Sequence, residues 1–168
     1  MPAESTTVIV NGMGKKPLGD ARAVLLDVLD CAFEKKSWHG ATLSGALRGV
    51  SARQAAARAA PGRKCVWEQV LHAAYWKHRA LRVLTAGAAG RFPRKGSNWP
   101  ALPAQATEAA WAADVELLRD LHLRLRETVT KLPPHCLTPK TVWLIHGAAA
   151  HDLYHAGQIK LLRRIAGL

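Results

Sequence analysis

Residues 141–165 read TVWLIHGAAAHDLYHAGQIKLLRRI, and this stretch decides the fold. No proline interrupts it, and its apolar residues recur at helical rather than alternating spacing. Lys160, Arg163 and Arg164 stand in its last turns, where cations favour the helix dipole. The pattern predicts a helix over 141–165. Leu144, Ala148, His151, His155, Gln158 and Leu162 fall on one stripe of that helix. Leucine at both ends marks the stripe as inward-facing, so His151 and His155 are expected to point into the protein with Gln158 one turn below. Residues spaced i, i+4 have Cβ atoms about 5–6 Å apart, which lets two imidazoles converge.

The same periodicity extends outward along the chain. Leu25, Val28, Leu29 and Ala32 mark a helix from near 18–20 to 36, and a second long helix spans 66–86 and stops at Gly87. Trp111, Val115, Leu118, Leu121, Leu125 and Val129 give a third, over 107–131, a core stripe. Shorter helical segments are expected over 41–48 and over 51–58, with Ser51 as N-cap of the latter. Residues 87–103 carry Gly90, Pro93, Gly96, Pro100 and Pro103 around Phe92 and Trp99. That composition predicts a long irregular loop of the kind that forms lids and walls. Strand signals are weak and no repeat appears. The expectation is an all-α protein, a four-helix bundle. Its long first crossover, 37–65, contains a short extra helix and leaves room for a non-sequential arrangement. Residues 1–17 form a loose leader, and 18–168 one bundle domain.

Composition sets outer limits. A chain of 168 residues with 49% hydrophobic and 21% charged residues fits one folded domain and excludes both a disordered chain and two stacked enzyme domains. No apolar run approaches the roughly 20 residues that span a bilayer. The N-terminus lacks the apolar stretch of a signal peptide, and Cys31, Cys65 and Cys136 are few, odd in number and scattered. These features predict a cytoplasmic protein with reduced thiols. The net charge of +12 permits contact with anions. Its Lys and Arg residues are dispersed over many segments with no basic recognition helix, which argues against a nucleic-acid interface.

On a buried helix face, two adjacent imidazoles need partners, because an unsatisfied buried polar group costs roughly 1–3 kcal/mol. A metal ion satisfies both. Position alone leaves the third ligand open. His72 edges the apolar stripe of the second long helix. His78, beside Lys77 and Arg79, reads as surface, and His122 and His146 as ordinary surface or boundary residues. His135 and Cys136 share a Pro-bounded loop, and His39 opens the short helix of the crossover, where it approaches the pocket or caps a turn.

Three segments carry a family resemblance: SWHGATLSGALRGV (37–50), VWEQVLHAAYWKHRAL (66–81) and HDLYHAGQIKLL (151–162). Together they resemble the DinB-like family of bacterial metal-binding four-helix proteins, over roughly residues 18–168. The H-x-x-x-H-x-G-Q-I of 151–159 is the most specific part, supported by the His-x-x-Tyr-Trp of 72–76. The resemblance implies a metal triad of His72, His151 and His155, a homodimer, and zinc or nickel as the ion. It also implies that FPRKGSNWPAL (92–102) forms a variable wall beside the site. The leader has no counterpart. Relatives include bacillithiol- and mycothiol-dependent transferases and isomerases, so the implied cofactors are a divalent metal and a low-molecular-weight thiol.

Three neutral His leave positions open on a bound ion, the composition of a catalytic rather than a structural site. The expected function is a divalent-metal-dependent enzyme that activates a thiol or water, of transferase or hydrolase type, on an unknown small molecule. A general base would help. Glu68, one turn before His72, either orients that ring or acts on a ligand, or else serves the start of its helix. His39 is the other candidate base. Gln158 either donates a hydrogen bond from behind the histidines or packs as a buried amide. Asp152 is expected to pair with an Arg, and Tyr75 and Trp76 to belong to the core. The competing function is a non-catalytic, metal-stabilised binding protein with a basic surface that contacts nucleic acid.

Overall fold

A computed structural model describes residues 21–167 of the chain. The leader 1–17 and the first residues expected of the first helix lie outside that span. The described residues form six α-helices and one 3₁₀ turn, with no strand among them. The helices are α1 (Ala21–Phe33), α2 (Leu43–Leu47), α3 (Ala52–Ala56), α4 (Val66–Leu84), α5 (Glu108–Lys131) and α6 (Pro139–Ile165); the turn is Pro134–Cys136. No described helix is long and apolar enough to cross a membrane.

Local chemistry fixes where these elements start and stop. Ser51 caps α3 in a reciprocal capping box with Gln54, as its position before the helix predicts. Thr42, Thr107 and Thr138 cap α2, α5 and α6 through their side-chain oxygens. The last helix begins two residues before the expected Thr141. Pro139 occupies its first position, where a missing N–H costs nothing. At the other end of α4, Ala86 and Gly87 take positive φ (49° and 94°), a turn that ends the helix at Leu84 rather than Ala86.

The four long helices form a bundle in which α1 packs on α5 and α6, and α4 also packs on α5 and α6. The consecutive long helices α1 and α4 therefore stand diagonally. A short hairpin could not make that connection; the crossover from 34 to 65 does. It holds two short helices, α2 against α6 and α1, and α3 against α4 and α5. One apolar cluster gathers around Trp67, Leu71, Leu118, Leu121 and Ile159. A second gathers around Leu29, Leu125, Val129, Ile145 and Ala149.

Charged and polar side chains are also buried in this bundle. Lys77 is 1% exposed and Asp152 fully buried, and they pair at 2.5 Å (Nζ to Oδ2). Lys77 Nζ also lies 3.4 Å from His122 Nδ1. The His122 ring is fully buried and stacks on Phe33 with 4.0 Å between centroids. Asp30 is nearly buried and receives Arg126 at 2.7 and 3.1 Å and Lys35 at 2.6 Å. Three sequence expectations are corrected here. His122 and His78 are buried, not surface: α1 covers the first, and the loop after α4 brings Phe92 over the second. Asp152 pairs with a lysine of α4 rather than with an arginine. Lys77 itself lies inside, where Asp152 neutralises it.

Besides His155, the buried residues of α6 are Ile145, Ala149, Asp152, Ala156 and Ile159. This line is displaced about 100°, one residue, from the predicted stripe. His155 remains buried, but His151 and Gln158 are only half-buried. The histidine stripe is thus the flank of α6 that borders a cleft, not the centre of its core face.

Candidate metal centre

Two helices bring three imidazoles together. His72 comes from the middle of α4, and His151 and His155 from successive turns of α6, which packs against it. His151 Nε2 lies 3.3 Å from His72 Nε2 and 3.0 Å from His155 Nε2. The three side chains form the only group of this kind among the described residues, with their ligand atoms all within 4.8 Å of one another. Two nitrogens each about 2.0–2.1 Å from a tetrahedral ion stand roughly 3.3 Å apart, so the spacing suits one shared cation.

The protonation of the rings can be read from their other nitrogens. His72 Nδ1 lies 2.5 Å from the backbone oxygen of Asn98. A carbonyl only accepts, so Nδ1 carries the proton and Nε2 presents a lone pair. His155 Nδ1 lies 2.6 Å from Gln69 Oε1, and the same argument frees its Nε2. Such outer partners fix the tautomer and raise ligand basicity. Burial pushes His155 down to about 3 and His151 to about 4, with the neighbouring imidazoles adding to it. Burial also lowers His72. All three are therefore neutral near pH 7, the form that binds a metal.

The loop after α4 completes the wall. Arg94 bonds Asp114 on α5, Nε to Oδ1 at 2.9 Å, and Asp114 also accepts from Trp67 Nε1 at 2.8 Å. This anchor holds the loop across the bundle. Gly96, at φ +96°, turns the chain where an added Cβ would press on Pro100 at 3.4 Å. Asn98 follows at φ +46°, a conformation that Asn tolerates better than most residues. Its carbonyl meets His72, and its side-chain oxygen accepts from Trp76 Nε1 at 2.9 Å. Trp99 stacks on His72 with centroids 3.9 Å apart. Trp76 is 44% exposed and meets His72 and His151 edge-on, so it borders the site instead of filling the core. Tyr75, half-buried, packs on Phe92.

Four of the six residues singled out from the sequence border the cleft: His72, His151, His155 and Gln158 all line one cavity. Glu68 and His39 are not among its lining residues. The Glu68 carboxylate closes the start of α4, accepting from Cys65 N at 3.0 Å, and pairs with Lys64 and Arg58 at 3.0 and 2.7 Å. Burial opposes its ionisation, but these hydrogen bonds outweigh it and hold the carboxyl down to about 2. A carboxylate so stabilised is a poor base, and the ring it was expected to orient is held by Asn98. His39 is exposed, in the turn before α2, with Nδ1 3.4 Å from Ser37 Oγ. The residues that sequence reading missed are Gln69 and Asn98. Gln69 stands three residues before His72 in the chain, but its partner His155 lies on another helix.

The family model described as the DinB superfamily matches residues 37–159, a span that contains all three histidines together with Gln69 and Asn98. No curated protein and no solved structure matches the chain.

Proposed function

Since the chain belongs to the DinB superfamily, we propose that it is a divalent-metal-dependent enzyme, with His72, His151 and His155 holding one ion, zinc or nickel. The carrying observation is the convergence of three imidazole Nε2 atoms, two with their tautomers fixed by Asn98 and Gln69, on the wall of an open cavity. A divalent ion with an open position supplies a lowered pKa to a thiol or water that reaches it.

The chain's own residues prepare that position. The Asn98 carbonyl and the Gln69 amide hold two rings so that their lone pairs meet. Trp99 covers one face of His72 and shields it from water. Gln158 and Tyr154 stand in the same cavity wall and offer hydrogen bonds to a ligand. A low-molecular-weight thiol is the favoured co-substrate, and transfer to an electrophile the favoured reaction, with hydrolysis as the variant in which water takes the thiol's place. The active species is a homodimer in this reading, to be checked by light scattering.

The direct test compares zinc- or nickel-loaded protein with His151→Ala in thiol conjugation to a generic aromatic electrophile, and in ester hydrolysis. The reading expects one of the two rates to exceed background and to vanish in the variant. Background rates in both assays, with the ion still bound, would contradict an enzyme and leave a metal-stabilised binding protein.

A further inference from the structure

The three imidazoles stand between two openings. One is the cavity that all three line. The other is an apolar cleft of about 450 Å³ between α4 and α6, walled by Trp76, Val83, Trp143 and Leu144, and it touches only His151 of the three. Apolar walls with a single polar group at one point are the make-up of a small-molecule site, and the size is within the range of such sites. Trp143 and Val83 stay 75% and 54% exposed, so the walls are open to an incoming ligand.

His151 differs from the other two histidines in its second nitrogen. His72 Nδ1 meets the Asn98 carbonyl, and His155 Nδ1 meets Gln69. The hydrogen bonds of His151 run through Nε2 alone, and its Nδ1 has no partner among the described residues. Nor is that atom sealed from solvent, as both ring nitrogens of His78 are. The two nitrogens of an imidazole point toward opposite edges of the ring. With Nε2 turned to His155, one helical turn C-terminal, Nδ1 is turned away from it. The α6 residues of the cleft, Trp143, Leu144, Gly147 and Ala148, all lie N-terminal to His151, on the side to which Nδ1 is turned.

Whether this nitrogen accepts or donates depends on the ion. Without one, Nε2 of His151 lies 3.3 and 3.0 Å from the lone pairs of His72 and His155. It then carries the ring's proton, and Nδ1 is a bare acceptor. With an ion held by all three Nε2 atoms, the proton sits on Nδ1, as it does in the other two rings, and His151 offers the cleft a donor.

We propose that the cleft binds a small aromatic molecule against its apolar walls, and that a carbonyl oxygen of this molecule accepts from His151 Nδ1–H only while an ion is held. The ion-dependent half rests on the metal reading above; the apolar walls do not. The ligand gives His151 the outer partner that Asn98 and Gln69 give the other two rings. Ligand and ion therefore strengthen each other's binding by the same factor.

The test uses acetophenone and α-methylstyrene, which share one shape and differ in the oxygen alone. Both are neutral, which keeps Arg79, the one charged residue along the cleft, out of the comparison. Each is titrated into full-length protein, zinc-loaded and chelator-stripped, with zinc content measured and binding followed by NMR shifts of the indole N–H groups. Loaded protein is expected to bind the ketone about fivefold more tightly than the hydrocarbon, the scale of one hydrogen bond, with shifts at Trp143 and not at Trp99. In stripped protein the preference should vanish. An added Cβ at Gly147 meets nothing within 4 Å, so Gly147→Leu should fill the cleft and abolish binding of both molecules while zinc uptake persists. Equal affinities in loaded protein, a preference that survives stripping or Gly147→Leu, shifts centred on Trp99, or no binding of either molecule would overturn the proposal. Zinc uptake without the preference contradicts this site and leaves the metal reading standing, whereas protein that takes up no zinc contradicts both.

Discussion

His155 and Gln69 are 86 residues apart in the chain and 2.6 Å apart in the fold, and the contact separates two adjacent residues of α4 by role. Gln69 holds a ring of the centre, whereas Glu68 holds the end of a helix. Gln69→Leu should weaken zinc or nickel binding by about 10–100-fold, the usual cost of losing an outer partner. Glu68→Ala should leave metal affinity unchanged and lower stability by about 1–2 kcal/mol through the lost cap and pairs. Competition with a chromophoric chelator measures the first and urea unfolding the second; reversed effects would refute the assignment. The His151/His155 pair was legible because i, i+4 spacing is a local fact. Gln69 and the Asn98 carbonyl were not. One finds its partner only when α4 meets α6, and the other is a backbone atom whose position depends on a loop anchored by Arg94.

Among the elements, α4 and α6 are joined by the buried Lys77–Asp152 pair as well as by the histidines. Lys77→Met alone should destabilise by about 3–5 kcal/mol, since it strands a buried carboxylate, and Lys77→Met with Asp152→Leu should recover most of that loss. A double variant as unstable as the single one would show that the pair does more than neutralise itself. Between α1 and α5, His122 carries a pH dependence. Burial, reinforced by Lys77, pushes its pKa down to about 3 from an ordinary value near 6.5. Below 6.5 the unfolded chain takes up a proton that the folded chain refuses, so stability present at neutral pH falls as the pH drops toward 3. His122→Phe should reduce the loss between pH 7 and 5 by about 2 kcal/mol in metal-free protein, read from urea curves at the two pH values; equal losses would contradict it. Helix positions were legible from periodicity, and one cap, Ser51, from its place before a helical segment. The burial of Lys77, His78 and His122 was not, because a charged or polar residue at a helix boundary looks the same whether solvent or another helix lies opposite.

At the scale of the whole molecule, four long helices could be counted in the sequence, but their neighbours could not be assigned. The diagonal placement of α1 and α4 depends on how α2 and α3 seat against α6 and α5, which periodicity does not encode. A site shared between α4 and α6 ties the two helices that carry it. Zinc at about 100 times its dissociation constant should therefore add about 2.7 kcal/mol and raise Tm by about 5–11 °C for a chain of this size, reversibly with chelator.

The most direct measurement is elemental analysis of protein purified without a His tag, repeated for His72→Ala, His151→Ala and His155→Ala after confirming their helicity. The account predicts about one zinc or nickel per wild-type chain and little or none in each folded variant. A wild-type protein that binds no divalent ion when one is supplied, or variants that keep it, would contradict the account.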